Sequence, residues 1–198
     1  MSVPRDDIRT PVFLVAMPQV QDPFFQQSVI LLLHHNEEGS FGLIVNRPTE
    51  IRTADVLEGM EIAWQGDEDN TAFFGGPVQP QLGTVIFAGP TSQEIEVGEE
   101  TATPVLSDAR MTQHIGDLAE LARHPPSSFR LVLGYSGWGD GQLVSEILRN
   151  DWLTAPADLD LIFSGDPREV WAAAMKSVGL DPNSLNLWTT GSGEGPVN

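Results

Sequence analysis

The sequence contains no cysteine and a single lysine, Lys176. The absence of cysteine excludes disulfides, thiolate nucleophiles and zinc sites built on thiolates, and it agrees with a cytoplasmic location. Basic residues are also scarce, with 10 against 28 acidic residues and a formal net charge of −18. Because nucleic-acid affinity comes largely from Lys and Arg side chains that displace counterions, we expect no direct nucleic-acid binding.

The chain also lacks a long hydrophobic run. The longest early run, residues 12–17, is bracketed by prolines and is far shorter than a membrane span, and no basic segment precedes it. We therefore expect a soluble, unexported protein without membrane contact. With 198 residues, of which 40% are hydrophobic, the chain is predicted to form one domain over 11–188, with a flexible N-terminus at 1–10 and a flexible tail at 189–198.

The segment 129–152 is the most informative part of the sequence. Residues 129–135 have the apolar, bounded character of a buried strand. A tight turn is predicted next, from three alternating glycines whose missing Cβ permits positive φ: Gly137, Gly139 and Gly141. A helix is expected to follow, with Asp140 as its N-cap and an apolar face formed by Leu143, Val144, Ile147 and Leu148.

Elsewhere the hydrophobic pattern predicts strands that alternate irregularly with helices. The predicted strands are 12–17, 28–35, 41–45, 72–74, 84–88 and 159–163, with an antiparallel hairpin between the second and third and an edge hairpin at 92–101. The predicted helices are 53–60, 107–123 and 167–178, with Thr53, Ser107 and Asp166 as their N-caps and Gly179 as the last C-terminal stop. This arrangement favours an α+β fold with a mixed, largely antiparallel sheet.

Ser136 is the sharpest catalytic candidate, since it lies between a predicted strand and a predicted helix, as the nucleophile of an α/β-hydrolase does. The nucleophile elbow requires G-x-S-x-G, however, and position 138 is Trp. The order of the hydrolase triad also requires a histidine after the serine, and none follows His124. We therefore interpret Ser136 as a turn residue and predict no catalytic residue.

The glycines and histidines raise the question of a cofactor or metal site. The dinucleotide fingerprint G-x-G-x-x-G fails at Gln142, and Asp140 at the start of the helix would repel a phosphate. His34 and His35 are adjacent on a predicted strand, so their side chains point to opposite faces and do not share one metal easily. The sequence thus predicts no cofactor and no metal site.

Three positions are less easily explained by folding alone. Asn46 and Arg47 interrupt an apolar strand just before Pro48, and Arg47 is one of few cations in an acidic chain. Trp138 lies within the glycine-rich segment, where its ring is either pinned into the core or offered to a partner. Both alternatives stay open at this point.

Four segments in fixed order carry a family resemblance: FLVAMPQVQDPFFQQSVILLLHHNEEGSFGLIVNRP at 13–48, FFGGPV at 73–78, LGYSGWGDGQLVSEILRNDWLTAPAD at 133–158 and LDLIFSGDPREVWAAAMKSVGLDPNSL at 159–185. The chain resembles the bacterial YqgE/AlgH family, although that family typically carries Ala at position 136 and differs after Leu185. The resemblance implies a compact α+β domain with a bifurcated or barrel-like sheet surrounded by helices. It implies no established activity, and the label of transcriptional regulator on some members brings no DNA-binding motif that maps onto these residues.

We expect a non-catalytic protein that acts through protein partners, with a role in regulation. Its binding surface is predicted to comprise ten residues: Asn46, Arg47, Pro48, Gly75, Gly76, Pro77, Tyr135, Trp138, Gly139 and Gln142. The first alternative is a small-molecule binding module, or an enzyme with a pocket near the glycine-rich segment. The second is a regulator that contacts nucleic acid directly, which the net charge disfavours.

Overall fold

The computed structural model describes residues 8–89, 100–163 and 165–182. These residues form ten strands and five helices. The strands are β1 (Val12–Ala16), β2 (Val29–Asn36), β3 (Gly39–Ile44), β4 (Pro48–Arg52), β5 (Thr71–Phe74), β6 (Val78–Ala88), β7 (Ala102–Leu106), β8 (Ala109–Thr112), β9 (Ser128–Gly139) and β10 (Trp152–Ala155). The helices are α1 (Thr53–Glu58), α2 (Ile115–Arg123), α3 (Gln142–Leu148), α4 (Leu159–Phe163) and α5 (Pro167–Ser177).

One sheet of ten strands forms the centre of the fold. Its main path runs β10-β1-β2-β3-β9-β6-β8-β7, and every pairing along that path is antiparallel. β4 and β5 form an antiparallel pair beside the path, and β5 joins β9 in the single parallel pairing among the described strands. The structure therefore confirms the predicted α+β class with a mixed, largely antiparallel sheet.

The sheet divides at β9. The first part of this strand pairs with β6 and, at Val132 and Leu133, with β5. The last part, Ser136 to Gly139, pairs with β3 instead. Between the two parts, Gly134 has a φ of 70°, a conformation that L side chains rarely adopt. This change of partners along one strand confirms the predicted bifurcated sheet, which curls into a half-barrel.

Three clusters of buried apolar side chains cover the sheet. The first lies beneath α4 and α5 and includes Phe13, Val15, Leu31, Leu43, Val132, Val170 and Met175. The second lies beneath α1 and α2, with Leu57, Leu118, Leu121 and Leu131. The third includes Leu14, Ala16, Ile30, Ile44, Trp138, Leu143 and Trp152, with Leu143 contributed by α3. Successive residues of β1 alternate between the first and third clusters, so both of its faces are buried.

The glycine-rich segment is not the predicted tight turn. Gly137 and Gly139 belong to β9, where they are exposed while Trp138 between them is buried, which is the period-two pattern of a strand. Of the three alternating glycines, only Gly141 has positive φ, at 65°. It is Gly141, and not Asp140, that occupies the N-cap position of α3.

A hairpin and a shorter helix replace the predicted helix at 107–123. Ser107 has a φ of 36° in the turn between β7 and β8, and Met111 lies within β8. α2 begins only at Ile115, after His114 as its N-cap residue. β8 is paired on both sides, by β6 and β7, so completion of the sheet outweighs the helical spacing of these apolar residues.

Short elements account for the remaining corrections. Residues 159–163, predicted as a strand, form α4, because a short apolar run does not distinguish a buried strand from a buried helix. β4 and β10 were not predicted, and Pro48 begins a strand where an end was expected. In α3, Leu143 is buried as predicted, whereas Leu148 is exposed.

The predicted helix caps have mixed outcomes. Thr53 is the first residue of α1 and not its N-cap, and its hydroxyl donates to Asn70 Oδ1 at 2.6 Å. Met60, expected to point inward, is exposed. The end signals of α5 are confirmed: Asp166 accepts a hydrogen bond from the backbone N–H at position 168, and Gly179 follows the helix with a φ of 81°.

The predicted edge hairpin at 92–101 lies almost wholly outside the described residues, as do residues 1–7 and the predicted tail at 189–198. The domain boundaries therefore remain predictions. Within the described ranges, no helix is both long and apolar enough to cross a bilayer.

Candidate functional site

An open cavity of about 390 Å³ lies where β9 meets α3. Its lining comes from the loop after β1, the end of β9, one face of α3 and the start of β10. The residues that shape it are Asp22, Phe25, Trp138, Gln142, Glu146 and Trp152. A volume of this size falls in the usual range of ligand sites, about 300–1,000 Å³.

Glu146 joins the two tryptophans of this cavity. Its Oε2 atom accepts hydrogen bonds from Trp138 Nε1 at 2.8 Å and from Trp152 Nε1 at 2.7 Å. Its Oε1 atom accepts a third hydrogen bond, from Gln142 Nε2 at 2.9 Å. All three donors are neutral, so they position the carboxylate without cancelling its charge.

α3 places Gln142 and Glu146 on the same face because residues four apart are neighbours on a helix. Gln142 Oε1 also accepts a hydrogen bond from the backbone N–H of Gly139 at 3.1 Å. The amide side chain thus ties the end of β9 to the helix. The positive φ of Gly141 allows the chain to pass from strand to helix within a few residues.

Aromatic rings form the floor of the cavity. The rings of Trp138 and Trp152 meet edge to face, with centroids 5.9 Å apart and planes at 84°. Phe25 meets Trp152 in the same manner, at 5.7 Å and 82°. The two tryptophans are only 6% and 5% exposed. The structure therefore shows the first alternative for Trp138, a ring pinned into the core, and part of this ring also lines the cavity; contact with a partner stays a prediction.

Phe25 lies in the loop formed by residues 22–27, called here the 22–27 loop, and Asn46 fixes the end of this loop. Its Oδ1 atom accepts from the backbone N–H of Val29 at 2.8 Å, and its Nδ2 atom donates to the carbonyl of Gln27 at 2.9 Å. Gln27 has a φ of 54°, which is uncommon for a residue other than glycine. The side chain of Asn46 therefore secures a conformation that the loop would not otherwise favour.

Arg47 clamps the middle of the same loop. Its guanidinium donates to the carbonyl of Pro23 at 2.6 Å and to that of Gln26 at 2.7 Å. Burial lowers the pKa of Arg47, an effect that the nearby carboxylate of Asp22 partly opposes. These contacts make Arg47 a positioning residue, which presents Phe25 to the cavity and does not itself line it.

Arg130 is a buried cation that the sequence analysis did not single out. It is 7% exposed, donates to the carbonyl of Val45 at 2.6 Å, and lies 3.8 Å above the ring centroid of Phe73. Burial lowers the pKa of Arg130 to about 10. Because Val45 directly precedes Asn46, this contact anchors the two loop-holding residues to the core.

Gly75 and Gly76 are buried in the connection between β5 and β6, directly against the backbone of β9. The carbonyl of Gly75 accepts a hydrogen bond from the backbone N–H of Ile44 at 3.0 Å. A Cβ on Gly76 would lie 2.2 Å from the backbone carbon and oxygen of Tyr135. Close approach of two backbone segments therefore accounts for these glycines, and only Pro77 of this motif is exposed.

Tyr135 and Ser136 also serve the packing of the sheet. The ring of Tyr135 packs against Phe41, with centroids 5.1 Å apart. Ser136 lies within β9 and not in the predicted turn; it is fully buried and donates its hydroxyl to the carbonyl of Gly75 at 3.1 Å. Pro48 pairs with Phe73 at the start of β4.

The structure thus brings together only part of the predicted surface. Trp138 and Gln142 line the cavity, Gly139 is hydrogen-bonded to Gln142, and Asn46 and Arg47 act through the 22–27 loop. The other five predicted residues lie at strand crossings or strand ends: Pro48, Gly75, Gly76, Pro77 and Tyr135. Three residues central to the cavity were missed: Phe25, Glu146 and Trp152.

Acidic groups dominate the lining of the cavity. The lining contains three carboxylates and one cation, and therefore two negative charges in excess: Asp22, Glu146 and Asp151 against Arg149. Arg149 forms an ion pair with Asp151 at 2.7 Å, and this contact raises the pKa of Arg149. The lining therefore disfavours anionic ligands. In the part of the chain that the structure describes, no group of three or more His, Cys, Asp or Glu residues is arranged to hold a metal ion.

A smaller cavity of about 220 Å³ lies between the β2–β3 hairpin and the start of α3, with His35, Glu37 and Asp140 in its lining. The Nδ1 atom of His35 lies 2.7 Å from the hydroxyl of Ser40. His34 is exposed and does not line this cavity.

The similarity to known proteins extends over most of the chain. The model of the family described as AlgH-like, DUF179, matches residues 13–183. A UPF0301 protein of Methylococcus capsulatus is 38% identical over 187 residues, which span 92% of this chain and 94% of the relative. A UPF0301 protein of Paracoccus denitrificans is 43% identical over 176 residues, which span 87% and 91%.

Two solved structures show the same architecture. The solution structure of AlgH from Pseudomonas aeruginosa is similar with a TM-score of 0.66 at 33% identity, covering 93% of this chain and 94% of that one. The crystal structure of a Corynebacterium diphtheriae protein is similar in fold, with a TM-score of 0.69 at 24% identity over 88% and 89% of the two chains. The motifs, the divided sheet and these similarities lead to one conclusion: the chain belongs to the AlgH-like family.

Proposed function

We propose that this chain is a non-catalytic, cytoplasmic binding protein that acts in regulation through a protein partner, and that the partner contacts the cavity between the 22–27 loop and α3. The observation that carries this proposal is the network around Glu146, in which each polar side chain holds another in place. Such a network favours a rigid recognition surface, because its hydrogen bonds hold each side chain in one conformation.

Aromatic side chains support a protein partner. Tryptophan and phenylalanine are enriched at the buried centres of protein interfaces. Beside the cavity, Phe24 is 46% exposed and stacks on Phe74 with ring centroids 5.8 Å apart. The apolar surface therefore continues from the cavity across the outer side of the 22–27 loop. Since Arg47 already holds this loop, binding would require little further ordering.

Site-directed photo-crosslinking in living cells tests the proposal. Gln21 is exposed and lines the cavity, so a photoreactive amino acid at position 21 would report on any protein seated there. Glu58, exposed at the end of α1, is the matched control position. We expect a discrete adduct with another protein from position 21 and none from position 58.

Two results would contradict the proposal. One is the absence of any adduct from position 21 at full expression of the folded protein. The other is an adduct with a second copy of this chain, which would identify the cavity as a self-association surface.

The cavity volume also favours a second candidate, a small-molecule binding module. About 390 Å³ is large enough for a compact ligand. Native mass spectrometry of the purified protein would detect such a molecule as a discrete added mass that Trp152→Ala removes. A bound ligand of this kind, together with no adduct at position 21, would replace the partner proposal.

A further inference from the structure

We infer that the cavity receives one lysine or arginine side chain of the partner, with its cationic head beside Glu146 and its aliphatic stem along Trp138 and Phe25. The inference rests on the proposed function and specifies the chemical group that enters the same site. It follows from the charge, the remaining acceptor capacity and the apolar surface of the cavity.

Glu146 contributes a negative charge to the cavity. This half-buried carboxylate is held by three neutral N–H donors, and no ion pair to it occurs among the described residues. The one cation of the lining, Arg149, forms its ion pair with Asp151, and Glu146 contributes less than Asp151 to the raised pKa of Arg149. A carboxylate away from bulk water gains most from a hydrogen-bonded cation, so the cavity favours a positively charged occupant.

Glu146 can also accept one more hydrogen bond than the three it receives. An ionised carboxylate offers about four acceptor sites, and the two indoles with Gln142 use three of them. Both indole N–H groups use Oε2, so the available site lies on Oε1. An apolar occupant would cut that site off from water without replacing the hydrogen bond, which is costly. A donor carrying positive charge completes the coordination.

Asp22 adds to this preference from the rim of the cavity. It is exposed and lines the cavity on the side of the loop, so its carboxylate lowers the energy of any cation that approaches Glu146. The same two charges repel carboxylates and phosphates. This pattern selects basic side chains of a partner against acidic ones.

Aromatic rings give the cavity an apolar surface that suits the stem of such a side chain. Lysine and arginine carry aliphatic stems that pack on apolar surface while the head remains in a polar setting. Trp138, Trp152 and Phe25 supply such a surface directly beside the carboxylate. Tryptophan is also the ring that attracts cations most strongly. A bare metal ion would use neither the stem-sized space nor the rings.

The two indole N–H groups allow a direct test by NMR. Protein labelled with ¹⁵N would be titrated with Nα-acetyl-lysine methylamide and Nα-acetyl-arginine methylamide. The neutral counterparts, Nα-acetyl-norleucine methylamide and Nα-acetyl-citrulline methylamide, keep the stem without the charge. We expect saturable shifts of the Trp138 and Trp152 indole signals with the charged probes, and weaker binding as salt increases. Trp64 and Trp171, whose indoles donate to backbone carbonyls elsewhere, serve as internal controls.

Two variants sharpen this test. Glu146→Gln retains acceptor capacity for the indoles but lacks the charge, and it should weaken the binding of the charged probes about tenfold to a hundredfold, the range for one charge-assisted hydrogen bond. Asp22→Asn should weaken it by a smaller factor, and it remains informative if Glu146→Gln does not fold. Equal binding of neutral and charged probes, or unchanged affinity in both variants, would overturn the inference.

The outcomes separate this inference from the proposed function. A partner adduct at position 21 without any indole shift would leave the partner proposal standing and overturn the cationic occupant. Indole shifts by the charged probes without an adduct would support the cationic site and count against the protein partner.

Discussion

Trp138 and Trp152 donate their indole N–H groups to the same atom, Oε2 of Glu146, while their rings meet at 84°. Trp138 is the penultimate residue of β9 and Trp152 begins β10, so a single carboxylate on α3 connects two separate parts of the sheet. The network therefore has a structural role as well as the binding role that we propose. The two roles can be separated by substitution.

Replacing Glu146 by Leu should lower the free energy of unfolding by about 1–3 kcal/mol, because two largely buried indole N–H groups would lose their acceptor. Glu146→Gln should cost less, since its carbonyl oxygen can still accept. Urea unfolding followed by circular dichroism measures both, with Glu58→Leu on α1 as the exposed control, expected within about 0.5 kcal/mol of the unchanged protein. Equal losses at positions 146 and 58 would show that the network adds nothing to stability.

Arg47→Lys should loosen the 22–27 loop. A lysine cannot reproduce the planar fork that donates to the carbonyls of Pro23 and Gln26 together. We expect faster hydrogen exchange at the amides of Phe25 and Gln26, both of which donate within this loop, and a loss of about 1–2 kcal/mol in stability. The control is Arg52→Lys, which alters an exposed ion pair between the end of β4 and Asp55 of α1 and should leave exchange in the loop unchanged. If hydrogen exchange in the loop is unchanged in Arg47→Lys, the contacts of Arg47 do not hold the loop in place.

Gly76→Ala should be among the most disruptive single-methyl changes in the chain. The added Cβ would meet the backbone of Tyr135 at 2.2 Å, and Tyr135 is held in β9, where it pairs with Val78. We expect a loss of roughly 3 kcal/mol or more, or failure to fold. Gly179→Ala is the matched control: its φ is also positive, but no atom lies within 4 Å of the new Cβ, so only the conformational cost of about 1 kcal/mol should remain. Similar losses in the two variants would indicate that backbone conformation alone determines both.

Two elements that local chemistry specifies, α5 and the β2–β3 hairpin, were predicted correctly. α5 follows from Asp166, a proline at its start and Gly179 after its end, and the β2–β3 hairpin follows from a short polar connection between apolar runs. Met111 was misplaced because its strand, β8, is determined by pairing with β6 and β7, which the local spacing does not contain. Long-range pairing outweighs local periodicity at such positions.

The cavity residues show the same limit of prediction from local sequence patterns. Gln142 and Glu146 stand four residues apart on a predicted helix, so their common face could have been recognised from the sequence. Trp152 reaches this face because β10 pairs with β1, and Phe25 reaches it through the contacts of Asn46 and Arg47 with the loop. Neither relationship leaves a periodic signal. Trp138 and Gln142 could therefore be predicted from the sequence, whereas the residues brought to them from elsewhere in the chain could not.

Stability at acidic pH should depend on Asp166. Hydrogen bonds from the side chain and backbone of Arg168 lower the pKa of Asp166 from 3.8 to about 2. A carboxyl group with a lowered pKa in the folded state contributes stability above its unfolded pKa and loses it as the pH falls through the folded value. The difference in melting temperature between the unchanged protein and Asp166→Asn should therefore shrink between pH 4 and pH 2. Since both groups are solvent-exposed, salt should also reduce it, whereas a difference independent of pH would contradict this assignment.

Fluorescence anisotropy against mixed duplex DNA and single-stranded RNA pools decides whether the protein contacts nucleic acid directly. With a net charge of −18 and an excess of negative charge in the cavity, we expect no binding even at low salt, where phosphate contacts are strongest. A basic DNA-binding protein measured in the same buffers is the positive control. Tight binding that weakens steeply as salt rises would reveal a local basic surface that the net charge conceals.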